Sequence, residues 1–130
     1  MPRSKIDLPY HIDFLSILDA EGNLDESLEP DIPEETLSRI YAAMLLGRRF
    51  DERLLNLQRQ GRIGTFPPTT GQEAVSVVPA FAMAEQDWYV SAFRDLGGRM
   101  IRGEKLTAAL HLFNGWEEGN VLPEAAMRVL

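Results

Sequence analysis

A chain of 130 residues, 45% apolar and 25% charged, has room for one ordinary domain with a real core, and that balance excludes a disordered chain. It has no cysteine, so disulfides, thiolate metal sites and cysteine nucleophiles are excluded. The net charge of −7 sits at one end: the first 38 residues carry ten acidic and two basic side chains and the rest ten and eleven, which makes nucleic acid a poor partner.

Residues 1–32 read as an acidic extended arm. Prolines at 2, 9 and 30 interrupt it, and DAEGNLDESLEPDIP is rich in turn formers. Within it HIDFLSILD alternates enough to predict one short strand. No apolar run approaches the ~18–20 residues of a membrane span, and the N-terminus has no uninterrupted apolar stretch of the signal-peptide kind. The expected location is therefore cytoplasmic, with no membrane partner.

The second region, 33–130, opens with a long helix. Asp31 and Glu34 have capping-box spacing, Pro33 suits a first turn, and Leu37, Ile40, Tyr41, Met44 and Leu45 recur at helical intervals. The helix is expected over 33–60 and to stop at Gly61, a good left-handed cap. Arg48 and Asp51 interrupt the apolar stripe three residues apart. Two readings stand: a drifting stripe that leaves both exposed, or a half-buried ion pair between them at an interface.

GRIGTFPPTTGQEA cannot be the interior of a helix or strand, given its glycines, paired prolines and paired threonines. Thr70 and Glu73 again have capping-box spacing, which predicts a second helix over 72–84 containing Pro79. DWYVSAF is expected to be a strand, RDLGGRMIRG a connection, and KLTAALHLFNG a third helix over 105–114. The chain closes on apolar Val129 and Leu130, which reads as a short strand or a chain with its continuation missing.

Chemistry is sparse in this pattern. There is no G-x-S-x-G, Walker loop, H-E-x-x-H or G-x-G-x-x-G, so no catalytic residue is assigned and no metal ligand either. His11 and His111 are a hundred residues apart, and His111 reads as a surface or satisfied core position. Arg94 is the suggestive residue: it follows the expected strand and precedes Asp95 and a Gly-Gly pair. An arginine so placed can approach a phosphate closely with its planar fork.

Six motifs fall in one order: R-R-F-D-E-R at 48–53, L-x-R-Q-G-R-I-G at 57–64, P-P-T-T-G-Q-E-A at 67–74, D-W at 87–88, F-R-D at 93–95 and F-N-G-W-E-E-G-N-V-L-P at 113–123. In register, they resemble the N-terminal part of the alpha subunit of thiamine-diphosphate-dependent 2-oxo acid dehydrogenases, the pyruvate and branched-chain decarboxylating components. The resemblance implies an α/β fold, the N-terminal portion of a thiamine-diphosphate-binding α/β/α domain, mostly helical in the part present, with 33–130 an incomplete piece of that domain. It implies an α2β2 enzyme that decarboxylates a 2-oxo acid oxidatively and passes the acyl group to a lipoyl-bearing transacylase. The alternative is a non-catalytic remnant or interaction module that binds a beta-type subunit through helix 33–60 and the acidic arm.

By that resemblance Arg94 grips the cofactor's diphosphate beside Phe93, which stands where the family most often has Tyr and so lacks the phenol donor. Phe66 matches an aromatic position at the 2-oxo acid pocket. Pro67 stands where some pyruvate-type lineages carry a histidine, so the substrate stays open between pyruvate and a branched-chain acid. The family's G-D-G fingerprint with its later Asn, which holds Mg²⁺, is missing from this sequence. The expectation is that the 130 residues alone neither bind thiamine diphosphate tightly nor turn over.

Overall fold

A computed structural model describes residues 9–116, and the chain divides into two units, Met1–Ile32 and Pro33–Leu130. The first unit has no regular helix or strand ladder among its described residues. Its centre is a turn built on Asp19, whose carboxylate accepts from the backbone N–H of Glu21 (3.0 Å) and Asn23 (2.7 Å) and from the Asn23 amide (2.7 Å). Those bonds, led by the Asn23 side chain, hold the Asp19 carboxyl below its usual range. Gly22 supplies the left-handed φ of 85° that the turn requires. The strand expected over HIDFLSILD reduces to one antiparallel bridge, Leu18 to Leu24. A strand needs a ladder to satisfy its backbone, and among the described residues Ile12 and Phe14 stand exposed and have no strand partner.

The second unit is helical: α1 (Glu34–Arg59), α2 (Glu73–Ala82), α3 (Leu96–Ile101) and α4 (Leu106–Phe113). Neither expected capping box forms. At α1 the cap falls on Pro33, in extended conformation, because the residue before a proline is pushed out of the helical region; Asp31 is thereby left outside the helix. At α2 the cap is Gln72, and the side chains of Thr70 and Glu73 are engaged elsewhere.

The C-terminus of α1 matches expectation. Gly61 (φ 69°) donates to the Gln58 carbonyl and Arg62 to the Leu57 carbonyl, the paired closure of a Schellman cap. α3 and α4 end in the same way, at Gly103 and Gly115.

The core gathers Phe50, Leu54, Phe66, Leu96 and Ala109, with Ile63, Met100, Leu106, Leu110 and Phe113 packed around it. α2 lies between α1 and α3 and packs on both. Residues 72–82 cover that position through Ser76, Val77 and Ala80, while Pro79 faces solvent, where a missing N–H costs least.

Two corrections concern the stretch after α2. The strand expected at DWYVSAF is reduced to a single bridge position at Tyr89 and forms no ladder among the described residues, and Trp88, Val90 and Phe93 are exposed. The Gly-Gly pair that follows is helical, inside α3. Its purpose is close packing: a Cβ on Gly97 would stand 2.8 Å from Val77 Cγ2, and one on Gly98 would overlap the Tyr89 hydroxyl. Gly98 also donates its N–H to Ser76 Oγ at 2.8 Å. These glycines are spent on α2 and Tyr89, and do not leave open backbone for an anion. Burial in this contact pushes the Tyr89 phenol up.

The turn between α2 and the extended stretch is held by Arg102, whose guanidinium donates to the carbonyls of Ala84, Glu85 and Asp87. After α3, Glu104 pairs with Arg99 at 3.2 Å; burial pushes its carboxyl up and the Arg99 charge opposes the shift.

Candidate functional site

The site is a loop, residues 61–72, held between three elements. Its sequence explains why it needs holding. Pro67 and Pro68 have no N–H, so the loop's first donors after Phe66 are those of Thr69 and Thr70. Both threonines turn these donors on one acceptor, Asp51. Its Oδ1 accepts from the Thr69 N–H (3.0 Å) and hydroxyl (3.3 Å), and its Oδ2 from the Thr70 N–H (3.2 Å) and hydroxyl (2.5 Å).

Asp51 is only 4% exposed. A carboxylate at that depth is tolerable because four donors replace its water. Neither reading of Arg48 and Asp51 survives: Asp51 is not exposed, and the two side chains do not pair with each other. On α1 the buried positions are Ile40, Gly47, Phe50, Asp51 and Leu54, which puts Arg48 around the edge of that face.

From there Arg48 reaches α2, where its Nε donates to Glu73 Oε1 at 2.5 Å. Glu73 also accepts from the Gly71 N–H at 3.0 Å. The Arg48 bond is the main reason that the Glu73 carboxyl sits at about 2, against an ordinary 4.5, and the same bond raises Arg48. Loop 61–72 is therefore fixed at its end by two carboxylates, one from each flanking helix.

Arg94 meets the loop from the other side. Its Nη1 donates to the Pro68 carbonyl at 2.6 Å, and its Cζ lies 5.0 Å from the centre of the Phe93 ring. Phe93 itself is 70% exposed. The structure thus brings Phe93, Arg94 and the loop together on an accessible surface. Phe66 lies elsewhere: it is 4% exposed, in the core, with its ring 5.9 Å from that of Phe113. Its loop reaches Arg94, but among the described residues no ring contact joins Phe66 to Arg94. His111 is exposed on α4, 6.3 Å from the Trp116 ring, and takes no part.

The sequence carries a signal for Asp51 in two halves. A polar pair inside an apolar stripe marks a break, but its partners lie 18 and 19 residues on, beyond any helical spacing. The T-T that follows P-P was the other half.

Comparison with known proteins covers the same stretch. Residues 41–126 match the family described as dehydrogenase E1 component. The chain is 41% identical over 101 residues to a pyruvate dehydrogenase E1 component subunit alpha of Acholeplasma laidlawii, covering 78% of this chain and 29% of that protein. It is 35% identical over 113 residues to the protein of the same name in Staphylococcus aureus, covering 86% of this chain and 30% of that protein. A Staphylococcus epidermidis protein of that name matches to the same extent. The chain spans about 30% of the length of the curated relatives it matches.

Proposed function

The chain belongs to the dehydrogenase E1 component family, and from that premise we propose that it supplies one edge of the cofactor site in the alpha subunit of a pyruvate dehydrogenase. The relatives named above are pyruvate dehydrogenase subunits, which favours pyruvate over a branched-chain acid. The observation that carries the reading is the seating of Arg94: a guanidinium with its Nη1 anchored on the Pro68 carbonyl and its ring neighbour Phe93 exposed. An anchored fork is pre-organised for an anion, since its geometry is already set before the anion arrives.

The fit to thiamine diphosphate and Mg²⁺ is partial. Arg94 is one cationic fork, with part of its donor set already used. Among the described residues no group of three or more His, Asp or Glu side chains is placed to hold a metal ion. These residues fit one edge of a diphosphate and do not fit the metal, so no reaction step is assigned to them. Thiamine diphosphate, when bound, supplies the carbanion chemistry of decarboxylation. The part taken by this chain is binding and orientation: Arg94 at the diphosphate, with Phe93 shielding its face. Phe66 acts by shape alone, because so buried a ring can offer a substrate no more than an edge.

A beta subunit completes the enzyme in this reading, as an α2β2 assembly that delivers the acyl group to a lipoyl-bearing transacylase. Leu37, Tyr41 and Leu45 stand 53%, 64% and 44% exposed along α1, which supports α1 as the helix that meets another subunit. No helix among the described residues is long and apolar enough to cross a membrane. Titrating the 130-residue chain with thiamine diphosphate and Mg²⁺ by calorimetry tests how much of the site it holds. The expected result is no micromolar binding; micromolar affinity would show that the chain holds a whole site.

A further inference from the structure

The hydrogen bonds on either side of loop 61–72 meet at one peptide unit. The amide between Pro68 and Thr69 donates its N–H to Asp51 Oδ1 at 3.0 Å and offers its C=O to Arg94 Nη1 at 2.6 Å. It is trans, since the described chain has no cis peptide bond. A trans peptide is planar and its N–H and C=O point in opposite directions, so fixing one end fixes the aim of the other. We propose that Asp51 is a positioning residue for Arg94, acting through the Pro68–Thr69 peptide plane. The assignment rests on the reading of Arg94 as the anion-facing cation.

Three features make this more than a loop bond. Asp51 is carried on α1, and its side chain is buried beside core residues Phe50 and Leu54, so the anchor point is rigid. Two consecutive residues grip its two oxygens separately, which fixes the rotation of the peptide plane as well as its position. Pro68 restricts the backbone on the carbonyl side. A carboxylate on the N–H also polarises the amide, making its oxygen a better acceptor for the guanidinium opposite. Removing the carboxylate frees the plane, and the Pro68 oxygen loses its fixed direction toward Arg94.

The link is read by labelling arginines with phenylglyoxal and following Arg94 by mass spectrometry, relative to exposed Arg59 in the same chain. Asp51→Asn turns an amide NH₂ toward donors, and should raise the Arg94 to Arg59 labelling ratio. Thr70→Val removes the 2.5 Å hydroxyl bond at an exposed position; it should raise the ratio less, and it reads the same link should Asp51→Asn fail to fold. Tyr41→Ser changes an exposed side chain of the same helix, away from Asp51 and the peptide, and should leave the ratio where it was. A ratio unchanged by the Asp51 and Thr70 variants, or raised as much by Tyr41→Ser, overturns the proposal. The ratio does not depend on any diphosphate binding, so the failure of the Arg94 reading and the failure of this link appear in different measurements.

Discussion

The two halves of α1 meet the rest of the chain in different ways. In the N-terminal half Leu37, Tyr41 and Leu45 form an apolar row that faces solvent. In the C-terminal half a glycine, a phenylalanine, an aspartate and a leucine are buried, and the one charged residue among them has four donors. Hydrophobic periodicity therefore marks where an amphipathic helix has a face, but not which part of the face finds a partner within its own chain. Burial follows the neighbours. In the first half Ile40 is buried and Arg39 lies over the Phe81 ring of α2, while the Leu37–Tyr41–Leu45 row stays uncovered; in the second half the loop after α1 supplies the polar groups that a buried carboxylate needs.

The sharpest way to break this comparison is to empty the packed half. Leu54 is 1% exposed, so Leu54→Ala should cost about 2–5 kcal/mol in urea unfolding. Asp51→Ala strands the donors of Thr69 and Thr70 and should cost about 1–3 kcal/mol in the same assay. A loss under half a kcal/mol for either would mean that the packed half is not where stability resides. Gly98→Ala forces a methyl into Tyr89 and should cost about 1–3 kcal/mol.

A pH titration sharpens the picture from the side of α2. The Glu73 carboxyl is depressed to about 2 in the folded chain, against 4.5 ordinarily. Its stabilisation is thus fully present above about 4.5 and is lost as pH falls through that window toward about 2. Unfolding followed across this range should show the loss, and Arg48→Gln should flatten it. The smallest effect belongs to the exposed half: Tyr41→Ser should change stability by no more than about 0.5 kcal/mol, since its side chain is already in water, while reducing any self-association seen by sedimentation.

The sequence disclosed the helices well where local chemistry sets them. Gly61 closes α1 as its left-handed freedom predicts, and the long apolar periodicities became α1, α2 and α4. It misled where a distant partner decides. α3 was hidden because L-G-G-R-M-I has poor helix propensity, and its glycines make sense only against Val77 and Tyr89. The capping boxes failed because Pro33 moved one cap and Asp51 claimed Thr70 for itself. At the site, Arg94 stood out from its neighbours in sequence. Its anchor on Pro68, 26 residues away, did not.

The most direct test of the account places this chain in a whole subunit. The matching 113 residues of the Staphylococcus aureus alpha subunit are replaced by those of this chain, the product is assembled with its beta subunit, and the dissociation constant of thiamine diphosphate is measured with Mg²⁺ present. Arg94→Gln should weaken binding by about tenfold or more, the worth of a charge-assisted hydrogen bond, while Arg59→Gln should leave it unchanged. Equal affinity with and without the Arg94 guanidinium would contradict it.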